Sequence, residues 1–162
     1  MIGRARILRF ISILMTAGLV AVIFVYLLQS EGSNKPVEEV AAQVTVLFEN
    51  EKSEKSPERM LKKHYGLNAQ DYDGVVLYSP ISNMDAEELL IVKLQSAQQM
   101  DELTEAVQER LDSQINIYEG YAPEQYDLCS HAVLDPEGNY FLFVVHADAD
   151  RIQDAFRKAL KN

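Results

Sequence analysis

Nineteen consecutive residues, Phe10 to Leu28, carry no charge, and beyond them apolar positions recur first at helical and then at strand-like spacings. A helix over 10–28 rises about 28 Å, close to the roughly 30 Å hydrocarbon core of a bilayer, so the run predicts a membrane span. Past a polar segment ending at Lys35, Pro36 opens a helix whose apolar face is Val37, Val40, Ala41, Val44, Leu47 and Phe48. The charge-rich stretch Glu49 to Lys55 breaks it. Ser56-Pro57 starts a second helix with a capping hydroxyl, and Gly66 ends it. Two β-rich runs follow, Val75 to Tyr78 and Leu89 to Leu94, expected to pair antiparallel. Ser96 and Gln99 form a capping box ahead of the longest helix, in which Met100, Leu103, Val107, Leu111, Gln114 and Tyr118 recur every three or four residues up to Gly120. Pro123 opens one short turn. A third strand around His131 to Leu134, turn chemistry over Asp135 to Asn139 and a fourth strand, Tyr140 to Val145, read as a hairpin. Asp148 or Asp150 then caps a final helix facing inward with Ile152, Ala155, Phe156, Ala159 and Leu160.

This succession predicts an α+β fold: an N-terminal transmembrane helix followed by an antiparallel four-stranded sheet with helices packed on one face. The expected organisation is a cytoplasmic stub over 1–9, a signal anchor over 10–28, a tether over 29–35 and one extracytoplasmic domain over 36–162. Arg4, Arg6 and Arg9 are the only charged residues before Glu31, so of the net charge of −10 the first segment carries +3 and the remainder −13. Basic residues on that flank orient the N-terminus to the cytoplasm and the domain outside. The bulky end of the run, Val25-Tyr26-Leu27-Leu28, argues for an uncleaved anchor; the alternative is secretion after cleavage near Ser30 and Gly32. The expected partners are the cytoplasmic membrane, through residues 10–28, and a cell-envelope protein. An acidic domain does not neutralise phosphates, which excludes nucleic acid.

Catalytic signatures are sparse. Cys129 is the only cysteine, and no zinc spacing, nucleophile elbow or phosphate-cradling glycine loop occurs, so no cofactor is expected. A candidate metal group is His146 with Asp148 and Asp150, where a strand gives way to a helix, although helix capping explains the aspartates without a metal and is the favoured reading. Cys129 and His131, two apart on an expected strand, form a candidate thiolate pair. Two loops stand out as recognition elements, one with Ile81, Met84 and Asp85, the other with Tyr121, Pro123, Gln125 and Tyr126.

Ser82-Asn83-Met84-Asp85-Ala86 leading into Glu88-Leu89-Leu90-Ile91-Val92-Lys93, a long helix with Arg110, Leu111 and Gln114, then Gly120-Tyr121 with Pro123-Glu124-Gln125, and Gly138-Asn139-Tyr140 before Phe143-Val144-Val145 resemble a bacterial family. The family is one of membrane-anchored extracytoplasmic proteins, the domain of unknown function numbered four-three-five-eight, and the resemblance covers roughly Val37 to Leu160. It implies an anchored outer domain, though many members carry a lipid-bearing cysteine where this chain has a span. It implies no catalytic residues. The expected function is a non-enzymatic binding or interaction module of the cell envelope, with Met84, Asp85, Tyr121, Pro123 and Gln125 as partner-binding residues; the alternative is a metal-dependent or thiol enzyme acting on envelope material.

Overall fold

The computed structural model describes residues 15, 16, 18–20, 32–48 and 52–161. The chain divides into two compact units, Met1–Glu31 and Gly32–Asn162. In the first, the described residues are helical, and most of the expected 10–28 span lies outside the described residues. Among the described residues no helix is long and apolar enough to cross a membrane.

The second unit is α+β. Its elements in chain order are α1 (Val37–Phe48), β1 (Ser53–Lys55), α2 (Arg59–Tyr65), a 3-10 turn (Ala69–Asp71), β2 (Gly74–Pro80) and β3 (Glu88–Lys93). They continue with α3 (Gln99–Tyr118), α4 (Pro123–Ser130), β4 (Val133–Glu137), β5 (Tyr140–Val145) and α5 (Ala149–Lys161). The sheet has five strands, not the four expected, in the order β1-β2-β3-β5-β4, antiparallel throughout. The extra strand, β1, lies inside the charge-rich stretch read as a helix breaker and pairs with the end of β2, Ser53 opposite Pro80. Its exposed Glu54 and Lys55 suit an edge, where charge discourages further strand pairing.

Helices cover both faces of the sheet, which corrects the expected one-sided packing. Leu90 and Val92 of β3 and Phe141, Phe143 and Val145 of β5 join one core with residues of α2, α3 and α4. Leu89 and Ile91 with Tyr140, Leu142 and Val144 join a second core with Val40, Val44 and Phe48 of α1 and Ile152, Phe156 and Ala159 of α5. Side chains alternate between faces along a strand, so a strand buried on both sides must be apolar at every position, as β5 is.

Local chemistry sets the joints. Gln99 Oε1 accepts the Ser96 backbone N–H at 3.1 Å, the returning half of the expected capping box. Gly66 ends α2 in the left-handed region at φ 72°, but the helix begins at Arg59, and the Ser56 hydroxyl donates to the Glu54 carbonyl instead of capping it. Glu137 pairs with Tyr140, so the hairpin turn is only Gly138-Asn139, with Gly138 at φ 61°, and Asp135-Pro136-Glu137 belongs to β4. The folded unit also starts before Pro36: Tyr140 Oη donates to the Lys35 carbonyl and Asn139 Nδ2 to that of Ser33 at 3.2 Å.

Candidate functional site

Glu88 opens β3 on the same face as Leu90 and Val92, and its side chain is fully buried. A carboxylate there needs paired charge and saturated oxygens to offset lost hydration. Arg110 of α3 supplies the charge, with Nη2 at 2.9 Å and Nε at 3.2 Å from Glu88 Oε2. Gln114, one helical turn on, donates to the same oxygen at 3.1 Å, and Tyr65 at the end of α2 donates to Oε1 at 2.6 Å. Three helix-borne donors thus converge on one strand residue.

The cluster shifts its neighbours' proton affinities. Burial, then the charge of Glu88, holds the Tyr65 hydroxyl well above its ordinary value. Burial would lower the Arg110 guanidinium, but Glu88 outweighs it and raises it further. Burial and the adjacent Arg110 lower His64, so its imidazole is neutral at pH 7.

A cavity of about 330 Å³ opens beside this cluster, lined by His64, Asn83, Asp85, Arg110, Gln114 and Tyr118 among others. A second, of about 550 Å³, shares His64, Asn83 and Arg110 with it and reaches Lys63, Glu109 and Ser113. Both are within the range of small-ligand sites.

Of the two loops singled out in the sequence, the first lines this cavity through Ser82, Asn83 and Asp85, and the second is tied to it from beside. Tyr118 Oη donates to the Asp85 carbonyl at 2.7 Å, and Gln125 Oε1 accepts the Ala86 backbone N–H at 2.9 Å. Asp85 lines the cavity, while Met84 and Tyr121 are more than half exposed, with the Tyr121 ring 6.2 Å from that of Tyr118. Pro123 is exposed as the first residue of α4, and Gln125 is half-buried as the clamp between the loops. Of the partner-binding residues singled out in the sequence only Asp85 lines the cavity, and Glu88, Arg110, Tyr65 and His64 were missed as site residues. The available signal was that Glu88 keeps step with Leu90 and Val92, and that Arg110 and Gln114 lie four apart beside Val107 and Leu111.

The other candidates do not assemble. His146 Nδ1 accepts the Asp148 backbone N–H at 2.9 Å and its ring lies 5.5 Å from Phe48. The Asp148 carboxylate pairs with Arg151 at 3.2 Å, and Asp150 is exposed in the first turn of α5. Among the described residues no three His, Cys, Asp or Glu side chains are grouped to hold a metal ion. Cys129 sits on α4 instead of a strand, 1 % exposed, and burial followed by the Glu88 charge pushes its thiol up to about 11. His131 lies past the end of that helix, exposed, with Nδ1 2.9 Å from the Asp127 carbonyl oxygen. A protonated, buried thiol is a poor nucleophile.

Residues 47–146 match the family model described as Domain of unknown function (DUF4358). That stretch holds all five strands with α2, α3 and α4, and so the whole Glu88 cluster and both loops; most of α1 and all of α5 lie outside it. No curated protein and no solved structure matches the chain.

Proposed function

We propose, from the premise that the chain belongs to the family Domain of unknown function (DUF4358), that it is a non-enzymatic binding module of the cell envelope, held on the outer face of the cytoplasmic membrane by residues 10–28. The observation carrying this reading is the concentration of exposed apolar side chains at one end of an acidic domain. Ile81 and Met84 on the β2–β3 loop, Ile117 on the last turn of α3 and Tyr121 beyond it are each more than half exposed. Ile117 lines the cavity, Ile81 and Met84 alternate with its lining residues on the β2–β3 loop, and Tyr121 lies against Tyr118, while Tyr118 and Gln125 clamp that loop. Apolar and aromatic side chains on a rigid polar surface are the usual anchors of protein recognition. The anchor is supported by the uncharged run and the three arginines before it.

Two measurements test the reading. Met84→Ala and Tyr121→Ala in the full chain are expected to weaken co-purification of an envelope protein while moving the melting temperature by no more than about 2 °C, since exposed substitutions change stability by about 0.5 kcal/mol or less. Protease added to intact cells is expected to digest the domain. Domain protected in intact cells, or co-purification indifferent to both substitutions, refutes the proposal.

A further inference from the structure

We infer that the groove beside Glu88 receives an extended, uncharged peptide segment bearing one apolar side chain; this rests on the binding-module reading and names the occupant. The two cavities share His64, Asn83 and Arg110 and so adjoin along the end of α2, the middle of α3 and the β2–β3 loop. Their floor is incompletely hydrogen-bonded. Gln114 is 2 % exposed, its Nε2 is given to Glu88, and its Oε1 has no partner among the described residues. With Nε2 fixed on a carboxylate the amide cannot turn over without setting oxygen against oxygen, so an acceptor is left beside the groove. Buried acceptors are hydrogen-bonded in the great majority of cases, which marks this one as awaiting a donor. His64 Nε2 is likewise buried and unpartnered. Arg110 uses Nε and Nη2 on Glu88 and has further N–H donors of its five at the groove wall.

The groove therefore offers donors and acceptors side by side, which matches a peptide amide with its C=O and N–H. Its charge is mixed: Arg110 and Lys63 stand against Asp85, Glu88 and Glu109, so an anion or a cation meets repulsion as well as attraction. Neutral His64 adds polarity without charge. Ile117 lines the groove with exposed aliphatic surface, and Ile81 and Met84 are exposed on the adjoining β2–β3 loop, an apolar surface that a hydrophobic side chain covers more completely than a hydroxyl-bearing saccharide ring.

The test uses the full chain in phospholipid nanodiscs, nitrogen-15 labelled, titrated with the blocked tripeptide N-acetyl-glycyl-leucyl-glycinamide. Expected are saturable shifts of the Gln114 side-chain amide and the Arg110 Nε–H, and a weakening of about fivefold in the exposed-rim variant Ile117→Ser. The aspartyl analogue and acetate are expected to bind more weakly than the leucyl peptide. Tighter binding of acetate makes this an anion site, tighter binding of N-acetylglucosamine a saccharide site, and either overturns the inference. So does the absence of any saturable shift with the leucyl peptide. If the peptide fails while Met84→Ala and Tyr121→Ala still abolish co-purification, only the groove assignment falls. Peptide binding with co-purification indifferent to both variants sinks the partner reading instead.

Discussion

Replacing Arg110 with Met removes the only cation hydrogen-bonded to Glu88 among the described residues and keeps most of the side-chain volume. Glu88 remains fully buried, with Tyr65 and Gln114 as neutral donors. Removing one partner of a buried ion pair costs about 3–5 kcal/mol, because the remaining charge is uncompensated. A domain of this size has a total stability of about 5–15 kcal/mol and loses roughly 3–5 °C in melting temperature per kcal/mol, so Arg110→Met should melt about 10–20 °C lower. Adding Glu88→Gln removes the charge, leaves an acceptor oxygen for Tyr65 and sets an amide N–H opposite Gln114, whose own amide can then turn over to accept it, so the double variant should return to within about 1–2 kcal/mol of the parent. Urea unfolding followed by circular dichroism measures both variants. A single variant within about 1 kcal/mol of the parent, or a failure of Glu88→Gln to rescue it, would falsify the account of the pair.

Four further outcomes are expected. Gly74→Ala drives a methyl into the buried Val37 at the start of α1 and should destabilise by about 1–3 kcal/mol in the same assay; an unchanged midpoint would show that α1 can shift freely on β2. His64 has its pKa lowered by burial and Arg110, so the unfolded chain takes up the proton first, and stability should fall as pH drops below about 6.5; His64→Gln should remove that part of the slope. Cys129, pushed up to about 11, keeps its proton in the fold while the unfolded chain loses it, so stability should fall as pH rises from 9 towards 11. The same thiol should react with Ellman's reagent only on unfolding, and rapid labelling of the native chain would contradict its burial.

What the sequence revealed follows from where periodicity is strong. α1, α3 and α5 each carry a long apolar stripe, and Val37, Val107 and Phe156 are buried as that spacing demands. β1 is three residues of Ser, Glu and Lys held by the edge of β2, with no apolar alternation to announce it. α4 buries only Cys129, so Pro123 to Ser130 lacked a stripe and read as a turn. The second sheet face was already written in the uninterrupted runs Leu89–Val92 and Tyr140–Val145, because a half-exposed strand would alternate. The exposure of Met84 and Tyr121 was legible because they are apolar residues in loops. Glu88 was not, since Glu87-Glu88 looks like a solvated pair until Arg110, 22 residues further on and on another element, is brought beside it.

The pairing of α1 with α5 also bears on how the chain comes to be folded. These two helices, one before and one after the strands, close one face of the sheet together, and Phe156 and Ala159 of α5 are added only after all five strands. A growing polypeptide can therefore complete the Glu88 side of the sheet before the other side. Until α5 has emerged, α1 covers Leu89 and Ile91 but Leu142 and Val144 lie open to water, an interval in which the nascent chain is prone to self-association. A stop codon after β5 would make that interval permanent.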